Sequence, residues 1–300
     1  MPSVSSLDEA SAFLEQASAE GRAVRIGDDL TTGRLDRILE HEAGDLTCTV
    51  EAGIRLSALN ETLGRSGQRL SLDPPGDPTL GACLAAGLSG PLRHRFGTPR
   101  DLVLGVTVVL ADGTIANAGG KVVKNVAGYD LGKLVCGSRG RLGLIARVSL
   151  RLHPVPEAAR TLVVETSEPA SVVAAIRGSQ LVPSALDVLH PGRVAVLFEG
   201  GEPSVATQLA RARKLVGGEE AGADVWTQVR EWQAAALGVV RFAPGVLAVE
   251  LAKLEPGSVV RAGAGVAYTP SNSPLQSQPS ALAALHERIR TAFDPEGVLV

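Results

Sequence analysis

The chain has 300 residues, a length that fits one large domain or two domains of ordinary size. Its 29 Lys and Arg nearly balance 32 Asp and Glu, basic residues form no block, and aromatic residues make up only 3% of the chain. These features argue against the basic or aromatic surfaces with which proteins bind nucleic acids.

Cysteine spacing and the N-terminus bear on the cellular compartment. Cys48, Cys83 and Cys136 are too widely spaced for a metal template, so we expect reduced thiols, no metal site and a cytoplasmic protein. Residues 1–20 are polar, which argues against a signal peptide. No apolar run is long enough to span a bilayer, so we expect no transmembrane segment.

In the first half, hydrophobic periodicity and turn residues predict short elements separated by glycine-rich turns. Ser6 is the predicted N-cap of the first helix, and Glu9 completes a capping box. The predicted helices are 5–19, 56–64, 79–86 and one beginning at 131–135. The predicted strands are 22–26, 46–51, 102–110 and one long strand or strand pair at 141–152, with 35–39 a strand or a turn of helix. The predicted turns and loops are 73–77, 87–98, 111–113 and 119–130.

A domain boundary is predicted at residues 153–156, His-Pro-Val-Pro, because the pattern changes there. We therefore expect one domain over residues 1–156 and a second over 157–300. The second half predicts strands at 161–165, 185–189, 193–198, 246–251 and 259–268, and helices at 171–177, 204–216, 226–237 and 279–293. This order is typical of an α+β domain with an antiparallel sheet.

The common motifs of nucleotide and zinc sites are missing from the sequence. No Gly-x-Gly-x-x-Gly follows a strand, and residues 128–133 lack the spacing and the Ser or Thr of a phosphate loop. His41 has no second histidine at helical spacing. Surface or capping roles are favoured for all five histidines, and no catalytic residue is assigned.

Glycine-rich turns between residues 73 and 145 carry the main chemical signal. Small residues let backbone N–H groups approach an anion closely. Gly81 and Ala82 begin a short helix and are expected to offer unpaired donors to a pyrophosphate, assisted by the Thr79 hydroxyl. Gly87 and Gly90 keep a second loop thin enough to lie beside a flat ring. Ordinary turns in a β-rich domain are the alternative explanation.

Several collinear segments resemble FAD-linked oxidases of the p-cresol methylhydroxylase and vanillyl-alcohol oxidase type. The segments are Val50–Gly53, Pro74–Ala82, Arg95–Gly105, Lys121–Leu131, Gly137-Ser138 and Gly140–Ile145. Lys121–Leu131, which reads Lys-Val-Val-Lys-Asn-Val-Ala-Gly-Tyr-Asp-Leu, is the most specific and is similar to the FAD-binding (E) subunits of bacterial glycolate oxidases. The match covers about a third of the chain, roughly residues 46–156.

The resemblance implies an α+β fold, with a two-subdomain FAD-binding domain followed by a small α/β-plait cap. It implies a subunit that oxidises a small 2-hydroxy acid by hydride transfer to FAD, in a glycolate oxidase complex with a larger flavin subunit and an iron–sulfur subunit. Such a subunit is cytoplasmic and peripheral to the inner face of the membrane through its partners. The residues that the resemblance places at the cofactor are Pro75, Gly76, Asp77, Thr79, Leu80, Gly81, Ala82, Gly87, Ser89, Gly90, Gly97, Asp101, Lys124, Asn125, Gly128, Tyr129, Asp130, Gly137, Gly143 and Ile145.

The loop after the first predicted strand departs from the family pattern. Residues 25–33 are short and carry Asp28 and Asp29 where a glycine run is usual. The loop holds neither His nor Cys, so we expect FAD to bind non-covalently. Cys83 and His94 are the nearby candidates for attachment, and packing roles are favoured for both.

Candidate groups for substrate and flavin chemistry are sparse. Lys121 and Lys124 offer cations to the flavin edge. Arg193, Arg241 and Arg261 are candidates for a substrate carboxylate, although solvated roles are favoured. The second half has no histidine cluster. Two alternatives therefore stay open: a non-catalytic assembly subunit with weakened or lost FAD binding, and a stand-alone FAD-dependent dehydrogenase of the D-lactate type.

Overall fold

The computed structural model describes residues 2–120, 131–272 and 280–300. Two antiparallel sheets organise the described residues, one on either side of residue 156. We refer to the part around the N-terminal sheet as the first unit and to the part around the C-terminal sheet as the second unit. The expected α+β fold is confirmed.

The first unit is built on a five-stranded sheet in the order β1-β2-β6-β4-β5, and β3 pairs with β7 beside it. Its strands are β1 Ile38–Glu42, β2 Thr47–Glu51, β3 Gln68–Arg69, β4 Val103–Val109, β5 Ile115–Gly119, β6 Leu144–Arg151 and β7 His153–Pro154. Its helices are α1 Leu7–Ala19, α2 Leu56–Gly64, α3 Leu80–Ala86, α4 Arg93–Phe96, α5 Pro99–Leu102 and α6 Leu131–Val135, with a 3-10 turn at Ala43–Asp45.

The second unit is built on a seven-stranded sheet in the order β11-β8-β10-β9-β13-β14-β12. Its strands are β8 Ala158–Glu165, β9 Ala185–Leu189, β10 Arg193–Gly200, β11 Glu219–Ala221, β12 Gly238–Arg241, β13 Val259–Arg261 and β14 Val266–Thr269. Its helices are α7 Pro169–Arg177, α8 Glu202–Val216, α9 Asp224–Ala234 and α10 Leu247–Leu251, with a 3-10 turn at Pro244–Val246. A last helix, α11 Ser280–Phe293, follows.

Two apolar clusters stabilise the first unit. Val148 and Leu150 of β6 belong to the cluster that α2 and α3 cover, whereas Leu144 and Ala146 of the same strand belong to the cluster that α1 covers. Burying each of these side chains contributes on the order of 1–3 kcal/mol. The two clusters hold the ends of the strands, and therefore the turns that follow them, in fixed positions.

The C-terminal residues return to the first unit. Ile289 and Phe293 of α11 pack against the cluster under α2 and α3. Beyond the helix, the Val24 N–H donates to the Val298 carbonyl at 2.7 Å, and the Val300 N–H donates to the Val24 carbonyl at 3.2 Å. The predicted boundary assigns these residues to the second domain, whereas in the structure they pack against the first unit. The division at residue 156 itself stays a prediction.

Several predicted elements match the structure closely. The helix at residues 56–64 and the strand at 185–189 have the predicted bounds. The Glu9 N–H donates to the Ser6 hydroxyl at 3.1 Å, which confirms the N-cap of α1. The Glu9 carboxylate instead accepts from Ser5 N at 2.8 Å, so the return bond of the capping box lies one residue earlier than expected.

Four predicted elements are wrong. Residues 22–26 form bridges through Val24 and Ile26 instead of a strand. The predicted loop at 87–98 contains α4. The predicted strand at 246–251 is α10, because Leu247 and Leu251 lie four residues apart and bury one helical face. The predicted strand at 259–268 is the β13–β14 hairpin, reversed near Gly265 with its φ of 62°.

Candidate functional site

The turn at 73–77 and the loop at 87–92 meet at one rim of the first unit. The Leu92 N–H donates to Asp73 Oδ1 at 3.0 Å. A Cβ atom on Gly90 would lie 1.7 Å from the Asp73 carbonyl oxygen, so glycine alone permits this approach. The structure thus brings together two of the predicted cofactor segments.

The C-terminal end of α3 joins a third predicted segment to this rim. The Gly137 N–H donates to the Leu84 carbonyl at 2.9 Å, and the Arg139 N–H donates to the Ala85 carbonyl at 2.8 Å. Gly87 ends the helix in the left-handed conformation, at a φ of 65°, and a Cβ there would lie 3.6 Å from Gly137 Cα. The turn at 137–142 is therefore fixed against α3.

The start of α3 does not offer the donors that the sequence predicts. The Leu80 N–H donates to the Ile54 carbonyl at 2.8 Å, and the Gly81 N–H donates to the Ala52 carbonyl at 2.6 Å. The Ala82 N–H donates to the Thr79 hydroxyl at 3.3 Å. The expectation of unpaired N–H groups at Gly81 and Ala82 is therefore wrong. Contacts over a long sequence separation occupy the first two donors, and the N-cap occupies the third.

Two predicted acidic residues hold the ends of neighbouring helices. Asp77 accepts from Ser57 N at 3.0 Å and from Ser57 Oγ at 2.8 Å, which caps α2, and these bonds lower the pKa of Asp77. Asp101 accepts from Thr98 N and Thr98 Oγ1 at 2.8 Å, which closes a capping box at α5. A Cβ on Gly97 would lie 2.6 Å from the Asp101 carboxylate, so glycine makes room for this cap.

The remaining predicted residues differ in what they face. Ile145 is buried in the core of the first unit, and Gly143 has a φ of 135° beside the Val109 carbonyl. Gly76 and Gly137 face open space. A further group of predicted residues lies outside the described residues, so their cofactor roles stay predictions: Lys121, Lys124, Asn125, Gly128, Tyr129 and Asp130.

A cavity of about 610 Å³ lies beside the turn at 137–142, between α6 and α11. This volume falls within the range of sites for small molecules and cofactors. The Ser138 hydroxyl is buried with no hydrogen-bond partner in the described part of the chain. The ionisable side chains that line the cavity are Arg100, Lys133, Arg139, Arg141, His286, Arg290 and Glu287. Cations predominate, so the cavity is suited to an anion.

Sequence reasoning missed these cations because they come from three separate segments. Arg141 belongs to the resemblance segment Gly140–Ile145, which was interpreted for its glycines, and Arg139 lies between that segment and Gly137-Ser138. Arg290 comes from α11, about 150 residues later in the chain, and only the folding of the tail onto the first unit brings it here.

Both carboxylates of the acidic loop at residues 25–33 interact with Arg25 of the same loop. Asp29 Oδ2 accepts from Arg25 N at 2.8 Å, and Asp28 lies 3.8 Å from the Arg25 guanidinium. A Cβ on Gly140 would lie 2.7 Å from Ile26 Cβ, so this loop packs against the turn at 137–142. Internal pairing reduces the repulsion that these carboxylates would exert on an anion nearby.

The two units meet through polar contacts. Arg69 pairs with Glu199 through two bonds of 2.9 and 2.8 Å. Next to this pair, Arg95 of α4 donates to the Glu199 carbonyl at 3.3 Å. The Gln233 amide of α9 donates to the Ser89 carbonyl at 2.8 Å. The loop predicted to lie beside a flat ring is thereby held by the second unit.

Arg261 is buried at this junction, so its predicted solvated role is wrong. Only 2% of its side chain is exposed, and it donates to Asp187, directly across from it in the sheet, and to Gln233. Burial raises the pKa of Asp187 to about 6, against the attraction of Arg261. Arg193, in contrast, forms a partly exposed pair with Glu165.

Neither candidate for covalent attachment is placed as a reactive group. The Cys83 thiol is buried and donates to the Leu88 carbonyl at 3.3 Å, and burial raises its pKa to about 12. The His94 ring packs against Gly263 of the second unit, and burial lowers its pKa.

His153 lies 4.6 Å from the Phe96 ring, and burial lowers its pKa to about 4.

Comparison with known proteins identifies the first unit. Residues 20–119 match a family model described as FAD binding domain. The chain is 36% identical over 201 residues to glycolate oxidase subunit GlcE of Escherichia coli (strain K12), a match that covers 65% of this chain and 56% of that protein. It is 33% identical over 157 residues to D-lactate dehydrogenase [cytochrome] 1, mitochondrial, of Saccharomyces cerevisiae (strain ATCC 204508 / S288c), covering 51% of this chain and 27% of that protein. The matches thus span about half of the first relative and about a quarter of the second.

A solved structure agrees with the fold over nearly the whole chain. Alkyldihydroxyacetonephosphate synthase superposes with a TM-score of 0.73 at 15% identity, covering 98% of this chain and 74% of that one. At this identity the likeness bears on the fold alone. The predicted resemblance to FAD-linked oxidases is confirmed. None of the helices in the described ranges combines the length and apolar character needed to cross a bilayer.

Proposed function

We propose that this chain, whose N-terminal part is a FAD-binding domain, is the FAD-binding subunit of an oxidoreductase complex that oxidises a small 2-hydroxy acid. The cationic cavity beside Gly137 is the observation that carries this proposal, because FAD brings a diphosphate that needs cations and donors. The sequence relation to a glycolate oxidase subunit and to a D-lactate dehydrogenase supports the substrate class.

The residues of the cavity fit the cofactor chemically. Ser138 has a buried hydroxyl that lacks a partner among the described residues, and a ligand oxygen would supply one. Arg139, Arg141 and Arg290 line the same space and would balance a diphosphate. FAD, when bound, accepts a hydride from the substrate. The chain's own residues bind and orient it, and the buried thiol of Cys83 supports non-covalent binding.

Partner subunits and location belong to the same proposal. The resemblance to glycolate oxidase subunits implies two partners, a larger flavin subunit and an iron–sulfur subunit. This chain would assemble with both. The complex would be cytoplasmic and would reach the inner face of the membrane through those partners. The word "subunit" in the name of the E. coli relative supports assembly into a complex.

A non-catalytic assembly subunit is the second candidate. Two observations favour it: the carboxylates of Asp28 and Asp29 in the loop whose Ile26 packs against Gly140, and the occupied donors of Gly81 and Ala82. The experiment that separates the candidates supplies FAD and an artificial electron acceptor to the chain, alone and with its co-expressed partners, and measures glycolate and D-lactate oxidation. Turnover that requires this chain supports the proposal. Assembly with partners but no FAD and no dependence of turnover on this chain supports the second candidate, and turnover by the chain alone identifies a stand-alone dehydrogenase.

Ser138→Ala is expected to change stability and FAD affinity in opposite directions. In the FAD-free chain it removes a buried hydroxyl without a partner, so the free energy of unfolding rises by about 1 kcal/mol. With FAD, the lost hydrogen bond weakens binding by about 2- to 10-fold. Urea unfolding and FAD titration measure the two effects.

The matched control for this change is Ser149→Ala. Its hydroxyl lies 2.9 Å from the Thr49 hydroxyl across β2 and β6, so its removal lowers the free energy of unfolding by about 1 kcal/mol and leaves FAD affinity unchanged. Equal FAD affinity of the Ser138→Ala variant and the wild type would contradict the placement of the cofactor in this cavity.

A further inference from the structure

Helix α11 is anchored to the first unit at its C-terminal end. Phe293 packs against the cluster under α2 and α3. The Asp294 carboxylate accepts from Val298 N at 2.8 Å and from Leu299 N at 2.7 Å, which holds the turn that follows the helix. Residues 282–288, which precede this anchor, are all exposed. The first half of the helix therefore presents its side chains to solvent.

An apolar stripe continues along α11 from the cavity beside Gly137. His286 and Ile289 line the cavity, and Leu282 and Leu285 lie four residues before them. Because residues four apart lie on one face of a helix, the two leucines extend the α11 wall of the cavity. Leu282 is 40% exposed and Leu285 is 47% exposed. A ligand that fills the cavity and follows α11 would remove this apolar area from water.

The α6 side of the same cavity is also apolar. Leu131 and Leu134 of α6 line it, and Leu142 lines it from the turn at 137–142. Arg139 and Arg141 of this turn add cations. Two apolar walls beside a cationic turn match a nucleotide, because the base is planar with apolar faces and the phosphates are anionic.

Of the two rings of FAD, adenine suits these walls better. The isoalloxazine must reach the substrate, and it needs protein groups near N1 and N5 that tune its electronics. Adenine takes no part in hydride transfer, and its polar edge can bond to water while its faces contact aliphatic side chains. The loop at 87–92, which is predicted to lie beside a flat ring and is held by the second unit, is left for the isoalloxazine.

We propose that the adenine of FAD lies between α6 and α11 and buries Leu282 and Leu285, so that cofactor binding protects the exposed half of α11. This inference rests on the proposed function. Arg290 of the same helix pairs with the exposed carboxylate of Glu287 at 3.8 Å. The diphosphate replaces Glu287 as the partner of Arg290, because it brings more charge and more acceptor oxygens.

The first test measures amide hydrogen exchange in α11 of the full chain. The chain is compared without ligand, with FAD, with ADP and with FMN, which lacks adenine. We expect FAD and ADP to slow exchange over residues 282–290 by about tenfold or more, and FMN to leave it unchanged. Slowing by FMN but not by ADP would place the isoalloxazine at α11 and overturn the proposal. Unchanged exchange in the chain with bound FAD would also overturn it.

The second test removes the apolar stripe. Leu282→Ala/Leu285→Ala is expected to weaken FAD and ADP binding by about 3- to 30-fold and to leave FMN binding within twofold of the wild type. The urea midpoint should stay near that of the wild type, since both leucines are exposed. Leu215→Ala is the matched control, because this leucine of α8 is 49% exposed and lies in the second unit. It is expected to leave all three affinities unchanged.

The third test uses the partner of Arg290. Glu287→Gln is expected to tighten ADP binding by about 2- to 5-fold, because the diphosphate no longer competes with a carboxylate. Glu61→Gln is the matched control, since it breaks an exposed pair with Arg65 on α2 and is expected to leave ADP binding unchanged.

The outcomes separate this inference from the proposed function. If the chain binds FAD, but Leu282→Ala/Leu285→Ala binds FAD and ADP as tightly as the wild type, adenine does not lie between α6 and α11. The proposed function then stands without this inference. If the wild type binds neither FAD nor ADP, the proposed function fails and this inference fails with it.

Discussion

Asp187→Asn is expected to lower the free energy of unfolding by about 3–5 kcal/mol. The side chains of Asp187 and Arg261 are 1% and 2% exposed, and Gln233 is the other partner of the guanidinium. Removal of the carboxylate charge leaves the buried Arg261 cation with Gln233 as its remaining hydrogen-bond partner among the described residues. Urea unfolding at about pH 8, above the raised pKa of Asp187 of about 6, measures the loss.

Two further variants test whether the loss of stability arises because the pair is buried. Glu165→Gln breaks the exposed pair with Arg193 on the same sheet and is expected to cost less than about 1 kcal/mol. The double variant Asp187→Asn/Arg261→Met is expected to be more stable than Asp187→Asn alone, because no unpaired charge remains. If Asp187→Asn and Glu165→Gln lower the free energy of unfolding equally, burial of the Asp187–Arg261 pair does not increase its contribution to stability.

Gly90→Ala is expected to lower the free energy of unfolding by about 3 kcal/mol and to reduce FAD binding. The added Cβ would lie 1.7 Å from the Asp73 carbonyl oxygen and 2.5 Å from its carbon, and these are backbone atoms that cannot rotate away. The turn at 73–77 must therefore separate from the loop at 87–92. Unfolding in urea and FAD titration of the same preparation measure both effects.

Gly64→Ala is the matched control for the same change in size. Gly64 ends α2, and no atom lies within 4 Å of the position of its added Cβ. The variant is expected to be unchanged or stabilised by up to about 1 kcal/mol, since alanine favours a helix. If Gly90→Ala also proves neutral, the two turns are not packed as described.

Sequence patterns predict the longer elements of this chain well because local periodicity decides them. Helix α2 repeats its apolar residues at helical spacing, and Leu56, Leu59 and Leu63 are the residues that it buries. The stretch of α10 fails the same analysis. Five residues with apolar side chains at alternating positions satisfy a strand and a turn of helix equally, and packing of Leu247 and Leu251 against the second core decides between them.

The candidate site is predictable as a set of segments but not as a set of contacts. The glycines at 76, 87, 90 and 137 do occupy turns or close approaches, as their spacing predicts. The Gly81 N–H donates to the carbonyl of Ala52, which follows a strand almost thirty residues earlier in the chain. Local sequence patterns do not predict a hydrogen bond over that separation. Arg261 meets Asp187 across 74 residues, so its burial follows from strand pairing that the sequence does not display.

FAD content of the purified chain tests the central claim most directly. The chain is purified after expression with its partners, supplemented with FAD and freed of excess cofactor, and its bound flavin is then measured by visible absorption and by release on acid precipitation. We expect stoichiometric FAD that leaves the protein completely when it is precipitated. A colourless chain that assembles with its partners yet binds no added FAD would contradict the assignment of the cavity beside Gly137 to the cofactor.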